Sequence, residues 1–193
     1  MGKILESIQS TVIAGFVLMI VLLVLVMQAG IAYDLSFYAR YIHVLSGVMW
    51  IGLLWYFNFV QIPTMPSIPD ELKPAIGKHI APKALFWFRW GAMFTIASGI
   101  ALAYFNGYLH DAMMLDESSR LIGIGMWLGI IMWFNVWFII WPNQKIALGI
   151  VEADAAAKPA AARKAMLFSR TNTLLSIPML FCMVSAQNGA MGF

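Results

Sequence analysis

The chain has 193 residues, of which 62% are hydrophobic and 11% charged, and a formal net charge of +3. Its mean hydropathy is +0.81, whereas a soluble globular domain carries about 25% charged residues, so the balance excludes an ordinary water-soluble fold and fits an integral membrane protein. The basic residues are spread over several connections rather than gathered in a tail or patch, which argues against nucleic acid as a partner and leaves membrane lipid as the expected surrounding.

The apolar runs are about 20 residues each, the length a helix needs to cross a hydrocarbon core of about 30 Å. No alternating-strand pattern of an outer-membrane barrel is present. The predicted fold is therefore an all-α integral membrane protein, a bundle of about five transmembrane helices in a single domain, 1–193. The first run, Val12 to Tyr33, is too long for a signal-peptide core and shows no small-residue cleavage site, so it is read as a retained span.

The second run extends from Phe37 to Gln61, and from Arg40 it reads RYIHVLSGVMWIGLLWYFNFVQ. An ionisable side chain within a spanning helix is a functional candidate by default, and here it is His43. Gly47 and Trp50 follow at i+4 and i+7, which puts a notch and an indole on the imidazole's face of the helix. That shape suits a flat ligand such as haem. The competing reading, that His43 bonds a neighbouring helix or a lipid headgroup, stands beside it.

The connection from Ile62 to Lys83 contains Pro63, Pro66, Pro69, Pro74 and Pro82, which predict a partly extended segment with a short helix near Pro74 to His79. The third span is predicted over Ala84 to Tyr108, followed by an acidic connection from His110 to Arg120, and the fourth over Leu121 to Trp141. The alanine-rich stretch from Ile150 to Arg170 reads as a solvated surface helix interrupted at Pro159. The fifth span, Asn172 to Ala190, is diluted by Ser176, Ser185, Gln187 and Asn188. With five spans, nine of the basic residues fall on one side and only Arg40 and Arg120 on the other, which predicts a cytoplasmic N-terminus and a periplasmic C-terminus.

Two polar sets result. Near the periplasmic end, His43 and His110 are the candidate metal ligands and would bracket a haem if the third connection folds back over the bundle; a plain loop histidine is the other reading of His110. Fourteen methionines offer a thioether ligand, although methionine more often fills core gaps. Toward the opposite face, Asn58, Gln61, Arg89, Asn135, Arg170 and Asn172 reach a similar depth, with no carboxylate in the predicted spans to neutralise Arg89. The set would bind an anion, a haem propionate or a planar polar substrate; alternatively, Arg89 snorkels to lipid phosphate while the amides tie helices together. All eight tryptophans lie on the spans, where core filling is the default reading. The single cysteine, Cys182, excludes an intrachain disulfide and a C-x-x-C-H haem attachment, and no phosphate loop, zinc motif or nucleophile elbow is present.

Four segments in order carry a resemblance: Arg40 to Gln61, GKHIAPKALFWFRWGAMFTIASGIAL from Gly77, NVWFIIWPNQKIAL from Asn135 and SRTNTLLSIPMLFCMVS from Ser169. Over Arg40 to Ser185 the chain resembles the membrane domain of the bacterial urate hydroxylases, the urate oxidase N-terminal family. The resemblance implies a helical domain of the bacterial inner membrane linked to urate oxidation, an oxidoreductase activity, and, in full-length members, a joined cytochrome c. It implies His43, Arg89, Asn135 and Asn172 as matching positions; Arg89, Asn135 and Asn172 are taken as the catalytic candidates, and His43, with Gly47 and Trp50 on its helix face, as the cofactor-binding ones. More distantly, the histidine-bearing helix is similar to that of the copper-resistance D and membrane protoporphyrinogen oxidase proteins, where it is associated with haem b. The sequence departs from the family in holding no cytochrome c motif, and in offering Gln187 and Asn188 where a histidine is expected near the end of the last span. The leading expectation is a redox-linked protein that binds haem b through His43 and passes electrons to a separate cytochrome or respiratory-complex partner. The alternatives are a non-catalytic accessory subunit of a larger membrane complex, and a urate-oxidising domain acting with a cytochrome in trans.

Overall fold

The computed structural model describes residues 2–192, and among the described residues there are helices and turns but no strand. The chain divides into two units, Met1–Leu35 and Ser36–Phe193. In the first, a helical turn, Gly2–Leu5, precedes α1, Ile8–Gln28. Ser7 caps α1, its hydroxyl oxygen accepting from the Ser10 N–H at 3.5 Å and so pairing one of the donors that a helix start leaves open.

The second unit holds α2, Leu35–Ser67; α3, Lys73–Phe105; the short α4, Leu109–Met114; α5, Glu117–Ala147; and α6, Ala157–Gln187. Together with α1, the four long helices make five that are long and apolar enough to cross a membrane. All five exist where the hydropathy predicts them, but their limits differ from the expected ones in an instructive way.

The helix α2 continues past Gln61 to Ser67 and α3 begins at Lys73, so the partly extended connection expected over Ile62 to Lys83 shrinks to residues 68–72. The reason lies in how the chain absorbs its prolines. Pro63, Pro82 and Pro142 each follow closely on a π-helical segment: Tyr56–Gln61, Ile76–Ile80 and Asn135–Ile140. In each case the N–H just before the proline reaches five residues back, from Ile62 to the Phe57 carbonyl, from Ala81 to Ile76 and from Trp141 to Val136. A proline ring lacks a donor and strikes the carbonyl four residues back in an α-helix; the wider turn shifts that carbonyl and lets the helix run on. The short helix expected near Pro74 to His79 is present, as the opening of α3.

Pro159 also does not interrupt a helix. It is the third residue of α6, where its missing N–H is one of those without an intrahelical partner in any case. The segment expected as a solvated connector is the first half of α6, and Ala161, Ala165 and Ser169 are buried in it. At the other ends, Gly107 follows α3 with φ 78° and Gly149 follows α5 with φ 69°, the left-handed conformation that glycine adopts without a Cβ penalty and that closes helices.

The core of the second unit is built from Trp50, Leu54 and Phe57 of α2, Leu85 and Phe88 of α3, Met132 and Val136 of α5, and Met179 of α6. Close approach at small residues permits it. A Cβ on Gly91 would lie 3.2 Å from the Trp50 backbone nitrogen where α2 and α3 cross, and one on Gly125 would lie 2.7 Å from the Cys182 Cβ where α5 and α6 cross. The substitution Gly125→Ala therefore has to part α5 from α6, and we expect a loss of about 1–3 kcal/mol, read as a lower melting temperature in detergent. Gly15→Ala on α1, where a Cβ meets nothing within 4 Å, serves as the control. Equal melting temperatures for the two variants would contradict the tight α5–α6 crossing.

Candidate functional site

Three small residues at four-residue spacing, Gly91, Thr95 and Gly99, form the face that α3 turns to α2. Gly91 meets the backbone of Trp50, Thr95 lies against Gly47, and Gly99 lies against the ring of His43. A Cβ on Gly99 would stand 2.8 Å from His43 Cε1 and 3.0 Å from Nδ1, so the imidazole occupies the space that a side chain would fill. His43 Nδ1 lies 2.8 Å from the Thr95 carbonyl oxygen. A carbonyl only accepts, so Nδ1 carries the hydrogen and donates it, which leaves Nε2 as the lone-pair nitrogen of the neutral ring. Nε2 has no hydrogen-bond partner among the described residues.

His43 lines a cavity of about 400 Å³ whose walls come from α2, α3, α5 and α6. The lining is mostly apolar, with Val44, Ile96, Ile130 and the thioethers of Met126, Met179 and Met183. Trp50 contributes its indole, whose buried N–H finds no acceptor among the described residues. Arg40, Tyr108 and Gln187 supply the polar part of the wall. Tyr108 lies beyond the end of α3, and burial pushes its phenol above the usual range, offset in part by its hydrogen bond with Asn106 and by the charge of Arg40.

Of the residues singled out in the sequence, His43 and Trp50 share this cavity. Gly47 does not line it; the room beside the imidazole that the sequence assigned to Gly47 comes from Gly99, on the facing helix. His110 is not brought to His43. It sits on α4 with its side chain 82% exposed, Nδ1 3.6 Å from Asp111 Oδ1, on a shallow surface pocket with Tyr104 and Met113. The acidic connection forms most of α4 and the start of α5, and none of its residues lines the cavity.

The amides of the second polar set are joined across helices. Asn135 donates from Nδ2 to Asn172 Oδ1 at 2.8 Å, and Asn172 Nδ2 donates to the Met132 carbonyl at 2.9 Å. Asn58 Nδ2 donates to Ser169 Oγ at 2.8 Å and to the Leu54 carbonyl at 2.9 Å, while the Trp55 indole N–H donates to Ser176 Oγ at 3.1 Å. Asn58 and Asn135 both lie on π-helical turns, which turn them toward α6. Arg89 is not bonded to these amides. Its guanidinium carbon stands 3.3 Å above the centre of the Trp141 ring, and its Nε and Nη1 are buried without acceptors. The Oδ1 of Asn58 and Oε1 of Gln61 are likewise buried and unpaired, and Arg170 is exposed.

Sequence reasoning missed Arg40, Thr95, Gly99 and Tyr108 as site residues. The glycine–threonine–glycine spacing on α3 was the available signal, being the small-residue pattern of a close helix crossing. Gln187 was noticed as an amide standing where a histidine was expected, and the structure puts it on the His43 cavity.

The fold and site thus define a helical bundle of membrane-spanning character with an imidazole-bearing cavity. Residues 117–191 match the family model described as urate oxidase N-terminal, the family that the sequence resembles. The matched stretch takes in Asn135, Asn172 and Gln187 and leaves His43 and Arg89 outside it. No curated protein and no solved structure matches the chain.

The amide clasp makes a direct prediction. Asn172 is completely buried and serves both Asn135 and the Met132 carbonyl, so Asn172→Ala leaves the Asn135 amide N–H without its partner, removes one bond from the Met132 carbonyl and should cost about 1–2 kcal/mol in detergent unfolding. Thr171→Ala, on the exposed side of α6, should leave the transition within about 0.5 kcal/mol of the parent. Indistinguishable transitions would mean that the clasp does not hold α5 to α6.

Proposed function

We propose that the protein is a redox-linked inner-membrane protein whose cavity takes haem b, with His43 as an axial ligand, and that it passes electrons to a separate cytochrome or respiratory-complex partner. The His43–Thr95 pairing carries this reading. A metal-ligating histidine almost always donates its other ring N–H to a carbonyl or carboxylate, which fixes the tautomer and the ring orientation. Here Nδ1–H is committed to the Thr95 carbonyl at 2.8 Å and Nε2 is left free, the state a ligand must have.

The surroundings fit a flat, largely apolar group with acidic substituents. A volume of about 400 Å³ is of ligand size, since such pockets run from about 300 to 1,000 Å³. Gly99 gives the imidazole its place, and aliphatic side chains line the cavity it faces. Arg40 and Tyr108 would hold the propionates, Arg40 by ionic hydrogen bonds. Met126, Met179 and Met183 offer thioethers for the opposite face of the group. Bound there, haem would supply one-electron exchange between its ferric and ferrous forms. The relation to urate hydroxylase-like proteins supports a redox setting. Within the second unit, the distribution of lysine and arginine supports a cytoplasmic location for the α2–α3 and α5–α6 connections, so that the Arg40 and Tyr108 end of the cavity faces the periplasm.

Reduced-minus-oxidised absorption of the detergent-purified chain, with a pyridine hemochrome assay, tests the proposal. We expect a Soret band and about one haem b per chain, lost in His43→Ala and lowered several-fold in Gly99→Ala, where the added methyl displaces the ring. A parent protein purified after haem-replete expression without a Soret band overturns the reading and favours a non-catalytic accessory subunit.

A further inference from the structure

A second site lies elsewhere along α3, independent of the cavity and of the haem reading. Arg89 precedes Gly99 by ten residues, about 15 Å along the helix at 1.5 Å per residue. Two cations meet one indole there. The Arg89 guanidinium carbon is 3.3 Å from the centre of the Trp141 ring and 6.0 Å from that of Trp137, and the Lys145 ammonium is 5.8 Å from the same Trp141 ring.

Nothing among the described residues neutralises the pair. The ion pairs seen among the described residues, Lys73–Asp70, His110–Asp111 and Arg120–Glu117, involve neither Arg89 nor Lys145. The ring attracts a cation through its face, but it offers no lone pair to an in-plane N–H. Stacking therefore leaves the guanidinium donors without a protein partner: Nε and Nη1 are buried without any acceptor, and Nη2 is the donor an incoming group can reach. A neutral amide oxygen would satisfy one donor and leave both charges uncompensated. An oxyanion satisfies several donors at once, with arginine supplying the directed hydrogen bonds and lysine a point charge.

We infer that Arg89, Lys145 and Trp141 form a binding site for a phosphate-type oxyanion, with Arg89 held on the face of the indole and Lys145 completing the charge. The same chemistry is presented by the headgroup of an acidic phospholipid and by free phosphate. Both sources would reach the site from the lysine-rich ends of α3 and α5, where Lys78, Lys83 and Lys145 are found.

Thermal-shift titration of the full chain in a neutral detergent distinguishes them. One arm uses mixed micelles doped with phosphatidylglycerol, with phosphatidylcholine as the zwitterionic reference; the other uses inorganic phosphate, with chloride at matched ionic strength. A saturable rise in melting temperature is expected in at least one arm. Response to phosphatidylglycerol alone assigns a lipid headgroup, and response to inorganic phosphate assigns a soluble anion. Arg89→Gln should weaken the response about ten-fold in apparent affinity and Lys145→Gln a few-fold, while the exposed Arg170→Gln leaves it unchanged. If Arg89→Gln fails to fold, the Lys145→Gln titration decides alone. No saturable shift in either arm, or parent-like affinity in the folded variants, overturns the site. Because neither variant touches the His43 cavity, the Soret band reports on the haem reading separately.

Discussion

The bundle of the second unit depends on the pairing of polar groups along one face of α6. Ser169, Asn172 and Ser176 recur at helical spacing and are all buried, and each bonds to another helix: Ser169 to Asn58 of α2, Asn172 to Asn135 of α5, and Ser176 to Trp55 of α2. In hydrocarbon there is no gain from bringing apolar helices together, so shape complementarity and hydrogen bonds decide which faces meet. The span diluted by serines and amides is thus the one to which α2 and α5 attach. Its serines and amides mark the inside of the bundle.

The α2–α3 pair is joined differently, through small residues rather than through amides. Gly91 lets the backbones close on Trp50, and Gly99 makes room for an imidazole whose Nδ1 is held by a main-chain carbonyl. A histidine placed in this way is oriented by the backbone, so its free nitrogen does not depend on a second side chain. The cavity it faces is walled by α2, α3, α5 and α6, with methionines on the two latter helices. At Arg89 the arrangement is the reverse: the charge is orientated by an aromatic face, and its hydrogen-bonding edge is left without a protein partner.

The prolines connect these two regions to the fold. A proline normally ends a helix, yet three of them continue here because a π-helical turn lies just ahead of each. Two of those turns carry Asn58 and Asn135, so the local widening that tolerates proline also turns the amides toward α6. The third, at Ile76–Ile80, allows α3 to start early and keeps the α2–α3 connection short.

The helical class, the number of long apolar helices, the relation to the urate oxidase N-terminal family and the prominence of His43 and Trp50 are all properties of the sequence itself, because hydrophobic length and an ionisable residue in an apolar run do not depend on neighbours. Tertiary structure decided the rest. Periodicity says that Gly47 shares a face with His43, but the facing helix determines which glycine leaves space, and that is Gly99. His110 could be drawn near His43 on depth alone, but α4 leaves its side chain on the surface. Proline content argued for a loop over Ile62 to Lys83 because propensity penalises each proline in an α-helix, whereas the π-helical turn that removes the penalty has no composition of its own. The Thr95 carbonyl that orients His43 is a main-chain atom, identical at every residue, and only the folded chain determines which one meets the ring.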